Sequence, residues 1–441
     1  MTCPRLFPIP AAPVTGDPIR GLASRAARFA AALMIASATA ACGGGGSTTG
    51  GGAGSGAVGA TGASAAGDVS AAVPTSGADA TDAGLSAAAA LGKSIFADTG
   101  LSGSGRVACW SCHDPARAHG APFDSAGAPG GASLDRVGGR RTPSIRYLRF
   151  APAFSVDAGG AAVGGLFWDG RAATLEEQAA GPFLNPDEMA NDSVEALVAR
   201  LRAAPYAARF EAVFGTGVWA DPQLAFARMR SALAAYQRED ADFAPFSSKY
   251  DAFLAGRATL AAAELRGLAL FASPSKGNCA ACHPSQRGAD GRPPLFTDFS
   301  YDALGVPRNG GLPRNADPDA FDLGLCASPR GAVLGDAACG RFRVPSLRNV
   351  ALARRLFHNG RFASLKEAVS FYATRDADPA RWYPAGADGR AIAYDDLPAA
   401  LRGNVNRGEV PYGRLVPTLS ESEIDDIVAF LGTLTDGWTP P

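Results

Sequence analysis

The chain has 441 residues, 47% of them hydrophobic and 19% charged, with a formal net charge of −1. That length holds two or three domains. So even a charge balance gives no basis for a polyanion partner, and nucleic acid is set aside.

The first 42 residues read as a targeting segment. Arg20, Arg25 and Arg28 precede a short apolar run, Phe29 to Ala41. The run is too short to span a bilayer and has the form of a secretory signal. Thr39-Ala40-Ala41-Cys42 resembles a bacterial lipobox, with Thr39 in place of the usual Leu. It predicts Cys42 as the lipidated first residue of the mature protein. Ordinary cleavage at an Ala-x-Ala-like site would instead leave a soluble protein. Residues 43–84, rich in Gly, Ala, Ser and Thr, form a flexible tether without a core. The expectation is a periplasmic protein that meets the outer membrane only through a lipid anchor.

The rest reads as mainly α, with one domain over 85–257 and another over 258–441. A helix from Leu85 to Asp98 leads into Cys109-Trp110-Ser111-Cys112-His113. Such a Cys-x-x-Cys-His run can bond two thioethers to a haem edge while the His imidazole reaches the iron. Ser193–Phe214 and Pro222–Leu254 carry helical apolar spacing. Leu260–Ala272 leads into Cys279-Ala280-Ala281-Cys282-His283, mirroring the first motif. Segments 114–165 and 284–340, rich in Gly and Pro, read as long loops that wrap haem edges. A helix starts near Ser364. The last helix opens on a Ser420/Glu423 capping box and carries an apolar stripe of Ile424, Ile427, Val428, Leu431 and Leu434.

The two halves share more than one motif. Arg141-Thr142-Pro143-Ser144-Ile145-Arg146 answers Arg343-Val344-Pro345-Ser346-Leu347-Arg348. LFWDGRAATLEEQA from Leu166 aligns without gaps to LFHNGRFASLKEAV from Leu356, and half of the positions are identical. Self-similarity in fixed order marks a repeated structural unit. The reading is two cytochrome c-like haem domains related by internal duplication, each with a covalently bound c-type haem.

Eight cysteines fit this scheme. Cys3 lies in the targeting segment, Cys42 at the cleavage site, and four hold haem. Cys326 and Cys339 remain, and in an oxidising periplasm they pair. A loop of that size contributes ~3 kcal/mol. Two free thiols are the alternative.

Of four histidines, His113 and His283 are proximal ligands. His119, six residues past His113, reads as a surface or propionate contact. No Met follows Met229, so the second haem has no distal Met in its own domain. Its sixth ligand is then His358, a Tyr, a Lys or water. Tyr372 is the best candidate, since it shares a helix face with Leu365; plain core packing is the alternative. His358, in a tight Asn-Gly turn, reads as lining the pocket without ligating. The first haem has no evident strong sixth ligand, because Met189 adjoins Glu188, which has a better use. An open iron points to substrate chemistry rather than electron transfer alone.

Together with the two haem motifs, Phe167-Trp168-Asp169-Gly170-Arg171, Leu175-Glu176-Glu177-Gln178 and Asn185-Pro186-Asp187-Glu188-Met189 resemble the bacterial di-haem cytochrome c peroxidase family, including its MauG-type branch. The resemblance covers roughly residues 85 to 436. It implies that the N-terminal haem meets hydrogen peroxide and the C-terminal haem relays electrons. By the same resemblance Trp168 matches a tryptophan between the haems, and Gln178 and Glu188 match a distal polar pair. Tyr372 falls where peroxidases carry Met and MauG-type enzymes carry Tyr. Two departures stand out. No His follows in the loop where peroxidases carry one that caps the resting N-terminal haem, so reductive activation is not expected. Arg141 stands where the family's inter-haem calcium site has an Asn, with Arg355 near its carbonyl pair; two cations there argue against Ca²⁺.

These residues suit peroxide cleavage. Glu188 can act as general base and then acid, and partial burial raises its pKa into a useful range. Gln178 orients peroxide or Glu188. Trp168 passes electrons through an oxidisable indole. Arg343 and Arg348 are expected to pair with haem propionates through bidentate bonds. The expected function is a di-haem peroxidase fed by a small periplasmic electron donor, a cytochrome c or a cupredoxin. The alternative is a MauG-like enzyme that oxidises aromatic side chains of a partner protein.

Overall fold

The computed structural model describes Asp82 and residues 84–440. The targeting segment, the lipobox with Cys42 and nearly all of the tether lie outside the described residues. Among the described residues are ten α-helices and three antiparallel pairs of two-residue strands. None of these helices is long and apolar enough to cross a membrane.

Helix α1 (Ala87–Ala97) begins where Ser86 Oγ accepts from Ala89 N–H. Its inner face buries Leu91, Ile95 and Phe96 against α6 (Pro222–Glu239). The two helices cross at Gly92, where any Cβ would overlap Ala232 O and Cβ of Tyr236. In the other half α8 (Ala262–Ala272) crosses α10 (Glu421–Gly432). Gly267 plays the same part there, against Asp426 O and Cβ of Phe430. The capping box of Ser420 and Glu423 starts α10 as the sequence predicts.

Between these crossings lie α2 (Cys109–Cys112), α3 (Leu175–Leu184), α4 (Val194–Ala203), α5 (Ala207–Phe214), α7 (Lys249–Leu254) and α9 (Leu365–Thr374). The stretch expected as one helix over 193–214 is two, α4 and α5. Pro205 divides them by forcing Ala204 into an extended conformation, with φ −67 and ψ 149. The stretch 222–254 also breaks. Asp240 ends α6 with φ −67 and ψ 125, and Ser248 with Asp251 opens α7 through a fresh capping box. Helix α3 carries Gln178 and was legible only as a motif. Segments 114–165 and 284–340 contain only single 3-10 turns and strand pairs or bridges. Cys326 and Cys339 are joined by a disulfide.

One apolar core comes from residues between Leu85 and Phe243. Two more come largely from residues between Tyr250 and Leu434. A buried polar seam joins the halves. Arg348 Nη1 and Nη2 bind Asp251 at 2.9 and 2.8 Å, and Nε donates to Pro294 O at 2.8 Å. Tyr147 OH donates to Asp436 at 2.8 Å, and the Arg348 guanidinium lies over the Tyr147 ring. Arg348 is therefore not the propionate ligand expected from sequence. Its donors are spent on Asp251 and a backbone carbonyl, because the chain buries it in the seam.

Two outcomes follow. Gly267→Ala, which pushes a methyl into the α10 backbone, should cost at least ~1–3 kcal/mol and lower the thermal midpoint of the holoprotein by several degrees. Asp251→Asn removes the carboxylate that Arg348 grips and leaves that buried charge only Asp436, at 4.0 Å, and should cost about 3 kcal/mol in the same measurement. Burial pushes the Asp251 carboxyl up, but its bonds to Arg348 and Ser248 win and hold it below the usual carboxylate range. Its stabilisation is thus present above about pH 4 and is lost as pH falls through that lowered value.

Candidate functional site

Each Cys-x-x-Cys-His motif is one tight turn. In α2 the i, i+3 spacing sets Cys109 and Cys112 on one side, and His113 N–H returns to Cys109 O at 2.8 Å. In the second motif Asn278, at φ 50, opens a 3-10 turn over Cys279–Ala281, and His283 N–H returns to Cys279 O at 2.9 Å. Both imidazoles place Nδ1 on a backbone carbonyl, His113 on His119 O at 3.1 Å and His283 on Phe296 O at 2.7 Å. A proton on Nδ1 makes that bond and leaves the Nε2 lone pair free for a metal. Burial keeps both rings neutral, bringing His113 down to about 4 and His283 below the ordinary imidazole value. The four thiols form no disulfide, and burial pushes each up to about 12.

The second motif opens on a large cavity. Phe271, Val369, Ile427 and Leu431 give it apolar walls, and Cys279, Cys282, His283 and Tyr372 line it. Ser364 caps α9, which carries Tyr372. The Tyr372 phenol has no hydrogen-bond partner among the described residues. Burial, and then Asp302 and Cys282, push its pKa far above the usual range, so a phenolate there needs a cation beside it. Core packing with the OH bonded elsewhere does not describe it.

Two arginines enter the same cavity wall without a carboxylate partner among the described residues, Arg343 and Arg141. Arg343 Nε donates to Phe167 O at 3.2 Å, and Arg141 Nε to Phe357 O at 3.2 Å. Burial lowers both guanidinium pKa values, Arg141 down to about 10. A buried cation without an anion is costly, and haem propionates would supply the anions. With a proximal imidazole, an unpartnered phenol, two neutral thiols and two unpaired cations, the residues fit a haem. They do not fit calcium at Arg141. The guanidinium already takes the Phe357 carbonyl and lies near Thr142 O at 3.4 Å, and a divalent ion beside it would meet a like charge. Arg355 is engaged elsewhere, on Asp124 O.

Trp168 belongs to the first half yet lines the second cavity. It is 7% exposed, and its Nε1–H donates to Arg141 O at 2.9 Å. The Arg141 guanidinium lies 5.2 Å from the indole centroid.

The first motif has a different neighbour. After α3 the chain turns through Asn185, whose Nδ2 donates to Glu188 Oε1 at 2.9 Å. Glu188 caps no helix, since α4 begins later and is capped by Ser193. Its carboxyl is close enough to Cys112 for its charge to raise that thiol. Burial raises the Glu188 pKa, while Arg171 and Asn185 partly offset the rise. Gln178 is half-buried on α3, and its amide has no partner among the described residues. Met189 and Met229 are packed in the first core. His119 is not at the surface. It is 1% exposed, bonded through Nε2 to Asp242 at 2.6 Å and stacked on Phe243. Of the other histidines, His113 and His283 belong to the two motifs and His358 lines the second cavity.

Sequence reasoning missed Arg171 as a neighbour of Glu188, and the His119–Asp242 pair. Only spacing in the chain was available to find them, and both contacts span loops.

Comparisons with known proteins give the chain its relatives. The family model described as di-haem cytochrome c peroxidase matches residues 86–259. Methylamine utilization protein MauG of Paracoccus denitrificans is 40% identical over 357 residues, covering 79% of this chain and 89% of its own. Cytochrome-c peroxidase IdrP1 of Denitromonas iodatirespirans is 33% identical over 312 residues, covering 64% and 71%. The crystal structure of the diheme peroxidase BthA from Burkholderia thailandensis superposes with a TM-score of 0.74 at 43% identity, covering 79% of this chain and 86% of that one.

Proposed function

Because this chain belongs to the di-haem cytochrome c peroxidase family, we propose that it reduces hydrogen peroxide to water at the first motif, with electrons relayed through the second. The observation that carries this is the inequality of the two sites. Glu188 stands by the first motif, and Tyr372 stands in the cavity of the second. Two covalently bound c-type haems, on Cys109 with Cys112 and on Cys279 with Cys282, are part of the reading. His113 and His283 would be their proximal ligands, Tyr372 a distal ligand of the second, and Arg343 with Arg141 the partners of its propionates. When bound, haem supplies a redox iron at which the peroxide O–O bond is reduced.

The chain's own residues do the rest. Glu188 takes a proton from peroxide and returns it to the leaving oxygen, so that two electrons and two protons give two waters. Asn185 holds that carboxylate in place, and the Arg171 charge acts on it through space. The free amide of Gln178 orients peroxide. Trp168, fixed by its bond to Arg141 O, offers an oxidisable indole on the electron path. A small periplasmic donor, a cytochrome c or a cupredoxin, supplies the electrons. The matched details of the halves support an internal duplication: paired glycine crossings, paired Nδ1–carbonyl bonds, and the bridges Leu166 with Ala172 and Leu356 with Phe362. The N-terminal segment supports export to the periplasm and a lipid anchor at Cys42.

A second reading has one observation in its favour. The unpartnered Tyr372 phenol, with no methionine beyond Met229, suits a MauG-like enzyme that draws its electrons from aromatic side chains of a partner protein. The relative at 40% identity carries that name.

Glu188→Gln should cut peroxide turnover at least ~100-fold while absorbance still counts two haems; unchanged turnover would remove Glu188 from the chemistry. The active form is the carboxylate, and its pKa is raised from 4.5. Peroxide reactivity should therefore fall as pH drops through a value above 4.5, and the Gln variant should lack that limb. Tyr372→Phe should change the resting spectrum of the second haem alone; an unaltered spectrum would rule it out as a ligand.

A further inference from the structure

The second cavity has a polar end that peroxide reduction does not use. His358 stacks flat on Phe342, with ring centroids 3.5 Å apart. Its Nε2 faces Asp396 Oδ2 across 4.0 Å, and the two side chains are 5% and 6% exposed. Asp396 Oδ1 faces Arg308 Nη1 across 3.8 Å. His358 Nε2, Asp396 Oδ1 and Arg308 Nη1 are all buried without a hydrogen-bond partner. Gaps of this size between polar atoms suit a bridging water. The nearest direct donor to Asp396 is Asn359 Nδ2, at 3.4 Å.

The surrounding charges are committed elsewhere. Arg140 grips Asp322 through Nε and Nη2 and also binds Asp169. Arg314 binds Asp322 at 2.9 Å. Arg171 binds Asp169, and the backbone N–H of Arg308 donates to Asp395. Asp396 is left without a bonded cation: Arg314 and Arg308 act on it only through space, and Asp322 is a nearby like charge.

We propose that Asp396 and His358 form a proton-binding site of the second cavity, which takes one proton from solvent when the haem there gains an electron and gives it back when the electron leaves. This rests on the reading that the cavity holds a haem. The electron comes from an external donor and the proton from water, so the buried charge does not change. Burial, and then Asp322, push the Asp396 carboxyl up to about 7, so it can change charge near neutral pH. Burial brings His358 down to about 3; it stays neutral and faces the Asp396 carboxyl. An added electron favours the protonated carboxyl. The potential of the second haem should then fall as pH rises through neutrality, levelling off well above and well below.

The test is spectroelectrochemical titration of the holoprotein between about pH 5.5 and about pH 8.5, with infrared difference spectra of reduction. The expected result is a potential that declines across this range and a protonated-carboxyl band that appears on reduction. In Asp396→Asn, which keeps the size of the side chain, both should be lost. A flat potential in the unaltered protein would overturn the proposal. So would a decline that survives in Asp396→Asn, which would point to propionates. The infrared band is read on the unaltered protein, so its absence counts against the site even if the variant misfolds. Haem content by mass is read separately: a chain with no haem on Cys279 and Cys282 overturns the underlying reading, and this inference with it.

Discussion

The buried seam of Arg348, Asp251, Tyr147 and Asp436 fixes the register of the two halves, and the second cavity depends on that register. Arg141 and Trp168 belong to the first half by sequence, yet both line a cavity whose Cys, His and Tyr belong to the second. A buried ion pair is weak evidence for net stability, since desolvation offsets much of its Coulombic gain. Its contribution here is directional. Arg348 satisfies Nε, Nη1 and Nη2 together, under the Tyr147 ring whose OH reaches Asp436.

The same physics makes the sites unequal. At the second, desolvation destabilises the Arg141 and Arg343 cations and the Tyr372 phenolate alike, and a haem with its propionates and ferric iron would relieve all three. At the first, desolvation acts on a carboxyl. Glu188 is raised, not neutralised by a close salt bridge, and its nearest bonded neighbour is the neutral amide of Asn185. A carboxylate kept basic in this way suits proton transfer. A phenol without a hydrogen-bond partner among the described residues, whose phenolate would need a cation beside it, suits ligation.

What was legible in the chain was what local chemistry determines. The Cys-x-x-Cys-His runs, the Ser420/Glu423 box, the leading helices α1 and α8, and the Cys326–Cys339 pair all depend on residues close in sequence. Pro205 was equally visible, but apolar spacing over 193–214 outweighed it, and one helix was expected where two form. Long-range partners were not legible. Arg343 and Arg348 belong to one motif with the same residue type, and only the fold separates them: one enters the cavity wall and the other meets Asp251, nearly a hundred positions away in the chain. His119 looked like a loop residue because Asp242 lies far along the sequence. Asp396 carried no motif, and its isolation results from Arg140 and Arg314 being drawn to Asp322.

The central claim is that the first site is open and acts through Glu188 without prior reduction. The most direct test adds one equivalent of hydrogen peroxide to the as-isolated diferric holoprotein while absorbance is recorded. The account predicts an immediate change at one haem, followed by oxidation of a reduced small cytochrome c when that donor is supplied. A diferric protein that ignores peroxide until one haem has been reduced would contradict it.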